Sequence, residues 1–241
     1  MTKFKSLGIK RKIINLEGLV LCFATLACFG VNCQQSDLNK KNRTTARQTA
    51  SSPDQKTLEN NMSNVDKNVF NSPVSAGVTE KITLESTAFN QGGAIPDRNS
   101  AYYEDISPAL SWSGVPPEAK SIVLIVQDPD APKSEPFVHW TIINLPPTVT
   151  NLPENQPRTE NLGASLGKAQ QGGNGFGGLG YLGPKPPPGH GRHHYHFQIF
   201  ALDKPEIDLL ADYSLTELVG EMENHILAKG ELVGTYERRA N

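Results

Sequence analysis

Residue types that move protons, hold anions or bind metals cluster in two stretches of the 241-residue sequence. Asp128-Pro129-Asp130-Ala131-Pro132 closes an apolar run, and His139-Trp140, eleven residues after Asp128, opens the next. This spacing predicts a carboxylate and an imidazole on adjacent strand ends. Further along, Gly183-Pro184-Lys185-Pro186-Pro187-Pro188-Gly189-His190-Gly191-Arg192 leads into His193-His194-Tyr195-His196. Side chains alternate along a strand, so His193 and Tyr195 share one face while His194 and His196 share the other. Two histidines on one face could hold a metal with a third ligand; a solvent-facing pair is the reading adopted, and no metal site is expected.

Two other motifs lack the context their chemistry needs. Gly175-Phe176-Gly177-Gly178-Leu179-Gly180 spells G-x-G-x-x-G, which binds a dinucleotide only between a strand and a helix N-terminus. The prolines from Pro184 to Pro188 forbid that helix. Gly163-Ala164-Ser165-Leu166-Gly167 spells G-x-S-x-G, but a nucleophile elbow must end a buried strand. Polar Glu154 to Asn161 precedes it instead, so Ser165 reads as an incidental loop serine.

The elements that position these residues are mostly strands. Lys81–Ser86 alternates apolar and polar residues, while Ser121–Gln127 and His139–Leu145 are continuous apolar runs. Tyr195–Leu202 and Glu231–Tyr236 add two strands, and Ala109–Trp112 a short one. Ser214-Leu215-Thr216-Glu217 has the capping-box pattern, and Leu215, Leu218, Val219, Met222 and Ile226 recur at helical spacing. A helix is therefore expected up to Gly230, with His225 on it, packed or surface-lying. Short strands separated by Pro/Gly loops predict an antiparallel sandwich with a peripheral helix.

The N-terminus reads as an export signal followed by a tether. Lys3, Lys5, Lys10, Arg11 and Lys12 precede the uncharged stretch Gly18 to Val31, which has the length of a signal h-region and is short for a bilayer span. A spanning anchor over 13–31, interrupted by Glu17, is the alternative. Cys22, Cys28 and Cys33 are the chain's three cysteines, so thiol and disulfide chemistry is excluded from the rest. The region resembles a bacterial lipoprotein signal with Cys33, or else Cys28, as the lipidation candidate; cleavage and release is the other outcome. Residues 34–77 are polar, with Phe70 their one aromatic, and read as a disordered linker because too little apolar surface can be buried. Residues 78–241 remain as one domain. The net charge of −2 conceals a basic N-terminus and an acidic remainder of about −8, which argues against nucleic-acid binding.

The DPDAP segment, the His139-Trp140 strand start and the proline loop before His193 resemble the phosphatidylethanolamine-binding protein family, also called Raf-kinase-inhibitor-like, and most closely its bacterial branch. Ile106 to Trp112 and Leu232 to Arg238 extend the resemblance over about Ile82 to Arg238. It implies an all-β antiparallel Greek-key sandwich with one or two peripheral helices. It further implies a pocket for phosphate or a phosphorylated head group, carried by Asp128, His139, Pro187, His193 and Tyr195. Imidazole N–H groups of His139 and His193 and the Tyr195 hydroxyl would donate to phosphate oxygens, with Asp128 orienting an imidazole. Without an evident Arg or Lys clamp, although Arg192 is adjacent, anion affinity is expected to be weak and to rise as the histidines protonate. Little chain follows the last strand, so the C-terminal helix of eukaryotic members is not expected and a lipid head group would be less enclosed. The resulting expectation is an exported, non-enzymatic binding module without a cofactor, held at a membrane by its lipid anchor. The alternatives are an inhibitor of a protease or kinase, or a weak hydrolase using His139 with Asp128.

Overall fold

The structure, a computed structural model, describes residues 68–240; the expected signal, the three cysteines and most of the expected linker lie outside these residues. Among the described residues nine strands form two sheets. β1 (Glu80–Lys81), β4 (Ser121–Asp128), β5 (Phe137–Leu145), β7 (Gln170–Gln171), β8 (Arg192–Leu202) and β9 (Ile226–Glu237) build one in the order β1-β9-β8-β4-β5-β7. β2 (Thr83–Ser86), β3 (Leu110–Ser113) and β6 (Asn151–Leu152) build the other in the order β2-β3-β6. Every ladder is antiparallel except β1 against β9, which is parallel.

The apolar runs that lack alternation become the sheet centre: every residue of β4 is buried, because both faces are covered. Ile122, Leu124, Trp140, Tyr195, Phe197 and Ile199 fill the space between the sheets. Val123, Ile125, Phe200 and Leu202 face the other way into a second cluster, closed by Leu218 and Met222 of α1 (Leu215–Met222). The capping box forms as expected, with Ser214 Oγ accepting from the Glu217 N–H and the Glu217 carboxylate accepting from the Ser214 N–H.

The helix nevertheless ends at Met222, eight residues before Gly230. Asn224 adopts a left-handed conformation (φ 64°) that turns the chain, and Ile226 opens β9 instead of closing the helix. His225 sits in that turn, its Nδ1 2.7 Å from Asp203 Oδ1. Gly230 lies inside β9 for a different reason: a Cβ there would stand 2.2 Å from the Ile82 carbonyl oxygen, so only glycine lets the two chains pass.

The expected linker is also shorter at its C-terminal end. Asn68 to Gly77 are ordered, with two single-turn 3-10 helices (Val69–Asn71 and Pro73–Ser75) lying on the outer face of the larger sheet. Composition hid this because the segment is held mainly through its backbone. The Val69 and Phe70 N–H groups donate to the side-chain oxygens of Gln127 and Gln198, at 3.2 and 2.8 Å. Lys229 Nζ donates to the Phe70 and Ser75 carbonyls and stacks on the Phe70 ring, while Val69 is fully buried. Removing the segment loses roughly 2 kcal/mol of Val69 burial and strands two buried glutamines at roughly 1 kcal/mol or more each. A chain starting at residue 78 is therefore expected to unfold on the order of 10 °C below one starting at residue 68 in thermal denaturation. Equal midpoints would show that the segment is not part of the fold.

Candidate functional site

The cleft forms where β4 ends, β5 begins and β8 begins. Asp128, the last residue of β4, pairs with Phe137, the first of β5, and a register shift beside Gln127 lets the chain turn away. The Asp128 carboxylate is used twice: Oδ1 accepts from the Asp130 N–H at 2.9 Å, and Oδ2 accepts from His193 Nδ1 at 2.7 Å. Alternation along β8 holds as expected. His193 and Tyr195 point inward, both nearly inaccessible, whereas His194 Nδ1 bonds Asp130 and His196 Nδ1 meets Glu231 and Asn68 on the other face. Among the described residues no group of three or more His, Cys, Asp or Glu side chains could hold a metal.

His139 is fastened by a reciprocal pair of bonds. Its carbonyl accepts from the Leu182 N–H at 2.9 Å, and its Nδ1 donates to the Leu182 carbonyl at 2.7 Å. Trp140 behind it donates from Nε1 to Gln171, whose amide in turn donates to the carbonyls of Pro157 and Thr159. The proline loop is pinned from outside: the Gly183 N–H donates to Asp105 Oδ1 at 2.6 Å, the Ala101 N–H to the Pro184 carbonyl, and the Tyr102 hydroxyl to the Pro186 carbonyl. Arg158 pairs with Asp105 from the far side. Gly183 is obligatory here, since a Cβ would collide with the Asn99 carbonyl at 2.1 Å.

These elements enclose a cleft of about 170 Å³, lined by residues that include Asp128, His139, Pro187 and His193, with Lys133 and Lys185 beside Phe137 and Phe176. Lys133 Nζ lies 4.7 Å from the centre of the Phe137 ring, and Lys185 Nζ lies 5.7 Å from that of Phe176. The two phenyl rings meet edge to face at 5.0 Å. The sequence reading found no Lys clamp, since no motif marks Lys133, which follows the DPDAP segment, or Lys185, which lies within the proline loop. It missed Phe176 because the glycines of the G-x-G-x-x-G pattern drew attention to nucleotide binding. Gly175 to Gly180 form a loop that carries Phe176, 62% exposed, to the cleft mouth. Gly163 to Gly167 form an exposed single-turn helix, so Ser165 has no part in the cleft.

One expectation about the cleft becomes specific and two change. The imidazole that Asp128 orients is that of His193. Tyr195 does not line the cleft; its ring stands behind, edge-on to His139 at 5.1 Å and stacked on His193 at 6.5 Å. Its buried hydroxyl makes no hydrogen bond of ordinary geometry among the described residues, and burial beside the Asp128 carboxylate pushes its pKa upward. Finally, burial pushes the His139 imidazole down to about 4, against the opposing pull of the Leu182 carbonyl and the Asp128 carboxylate. With Nδ1–H committed to Leu182, the neutral ring presents an Nε2 lone pair. It therefore accepts a hydrogen bond and does not donate one to a phosphate oxygen.

Residues 85–237 match the family described as phosphatidylethanolamine-binding protein. The chain belongs to the phosphatidylethanolamine-binding protein family. A UPF0098 protein of Methanothermobacter thermautotrophicus is 45% identical over 157 residues, which is 65% of this chain and 99% of the relative. The solved structure of Escherichia coli YbcL, described as a member of the mammalian PEBP family, matches with a TM-score of 0.61 at 33% identity, covering 65% of this chain and 98% of YbcL. A phosphatidylethanolamine-binding protein homologue from Chlamydia trachomatis matches with a TM-score of 0.57 at 41% identity, covering 66% and 99%. The Escherichia coli and Chlamydia trachomatis relatives support the bacterial branch of the family.

The buried neutral state of His139 has a measurable consequence. Its folded pKa lies below the ordinary 6.5, so as pH falls the unfolded chain takes up the proton first. Stability is then lost between about pH 6.5 and about pH 4, by roughly 3 kcal/mol in all. In NMR titration the His139 ring should stay neutral from pH 8 to pH 5; a midpoint near 6.5 would refute the buried, Leu182-bound ring.

Proposed function

We propose that this phosphatidylethanolamine-binding family member is a non-enzymatic binding module whose cleft holds a small anion, phosphate or a phosphorylated head group. The observation that carries the reading is the pair Lys133 and Lys185 at the cleft mouth, on a domain that is otherwise acidic. Each ammonium lies over a phenyl ring, whose face attracts the cation and helps keep it at the cleft. Within, the His139 Nε2 lone pair suits a protonated oxygen, as on a phosphate monoanion, while the Pro186–Pro187 wall is preset and loses little entropy on binding. Tyr195 contributes from behind by holding the two imidazoles apart.

Turnover is disfavoured by the lining itself. Among the described residues the lining has no hydroxyl or thiol side chain, and the carboxylate that would activate His139 is bonded to His193. The N-terminal signal supports export, with Cys33 or Cys28 as the acylated residue that tethers the domain to a membrane. Among the described residues no helix is long and apolar enough to cross one.

Titration of the protein with inorganic phosphate, followed by calorimetry, tests the reading. Wild type is expected to bind weakly, and the double variant Lys133→Ala, Lys185→Ala at least tenfold more weakly, with the difference shrinking at high salt. Unchanged affinity in the double variant would remove the lysine pair, and this function with it.

A further inference from the structure

His190 lies outside the set of residues that line the cleft, yet it holds the one remaining polar position of the buried histidine. His193 is 2% exposed, and both its ring nitrogens are taken: Nδ1 by Asp128 Oδ2 at 2.7 Å and Nε2 by His190 Nδ1 at 2.7 Å. With Nδ1–H donated to the carboxylate, a neutral His193 accepts at Nε2 from His190; a protonated His193 donates to it. Either way a single proton occupies the bond between the rings, whose centres are 5.0 Å apart. An anion can reach the Nε2 of His193 only by taking the place of His190.

The backbone around His190 suits such an exchange. Gly189 and Gly191 flank it at φ 75° and 93°, in the left-handed region that glycine enters without strain. A Cβ on Gly191 would meet nothing within 4 Å, so the loop is not wedged on that side. The anchoring bonds lie upstream: the Gly189 N–H donates to the Arg238 carbonyl at 2.8 Å, and the His190 N–H to the Pro187 carbonyl at 3.1 Å. The imidazole itself is exposed and has the buried histidine as its polar partner among the described residues.

We propose that His190 is an affinity-determining gate of the anion cleft, a built-in competitor that occupies His193 Nε2 until a ligand oxygen displaces it. The proposal rests on the anion-binding reading above and adds to it the residue that sets the occupied cleft against the closed one. The group displaced and the group admitted are both hydrogen-bonding partners of one imidazole nitrogen. A ligand oxygen that carries a proton can donate to the Nε2 lone pair of neutral His193 as His190 does, whereas a halide has no proton to give and is not selected.

The test is inorganic phosphate titrated into the full-length chain as wild type, as His190→Ala and as Lys133→Ala, Lys185→Ala, with ¹⁵N NMR of the histidine rings. His190→Ala is expected to bind phosphate about fivefold more tightly, corresponding to about 1 kcal/mol. In wild type the ¹⁵N signals of His190 Nδ1 and His193 Nε2 should both shift on saturation as their mutual bond is broken. An unchanged or weaker affinity in His190→Ala, or a His190–His193 bond that survives saturation, overturns the gate even where the lysine variant confirms the cleft. Binding by His190→Ala alone, with none by wild type, supports the gate in its strongest form. Absence of binding by both overturns the cleft reading and the gate together.

Discussion

The hydrogen bond between Asp128 Oδ2 and His193 Nδ1 joins the end of one central strand to the start of its neighbour, and the cleft exists because that junction is fixed. Both side chains are removed from water, so neither tolerates the loss of the other: an uncompensated buried charge costs about 3–5 kcal/mol. The carboxylate also accepts from the Asp130 N–H, which turns the chain out of the strand and commits Pro132 and Lys133 to the cleft wall. Asp130 then accepts from the backbone and ring of His194, repeating the aspartate–histidine pairing on the exposed side of the same strand. Two aspartates two residues apart thus grip two consecutive histidines from opposite faces.

Around this junction, positions are set more by backbone than by side chains. His139 is held by two bonds to Leu182, and the segment after Leu182 is fixed by Asp105, Ala101 and Tyr102 through main-chain groups. Proline fits such a wall because its φ is preset and it has no N–H to satisfy. The consequence for chemistry is that His139 has its donor consumed by the fold, and what it offers a ligand is a lone pair. In the proposed function attraction for an anion falls to Lys133 and Lys185, whose ammonium groups lie over aromatic rings.

Much of this was legible in residue order. The continuous apolar runs of β4 and β5 announce strands buried on both faces, and alternation along β8 correctly separates His193 and Tyr195 from His194 and His196. Asp128, His139, Pro187 and His193 line one cleft. What escaped has physical causes. The end of α1 depends on the left-handed turn at Asn224, which helical periodicity does not register because Ile226 continues the pattern by coincidence. Residues 68–77 escaped because their anchoring groups are backbone N–H and C=O, which every polar sequence possesses equally. Asp128 lies close in sequence to His139, but it bonds His193, 65 residues away, because sheet order β8-β4-β5 puts β4 between both histidine strands. Sequence proximity could not choose between the two.

β8 also explains why the ordered N-terminal segment and the cleft belong to one piece of architecture. Its inward residues, His193 and Tyr195, shape the cleft, while its outward residues, His196 and Gln198, receive Asn68 and Phe70. Gln127, one residue before Asp128, receives Val69 in the same way and is itself bonded by Gln198 at 3.0 Å. The two glutamines are fully buried polar groups and need these partners. Asn68 lies beside His196, only three residues along the strand from His193, a rise of about 10 Å. A strand that bonds the incoming chain on one face and a gated histidine on the other makes both features depend on the same register, because a slip of one residue would exchange its two faces.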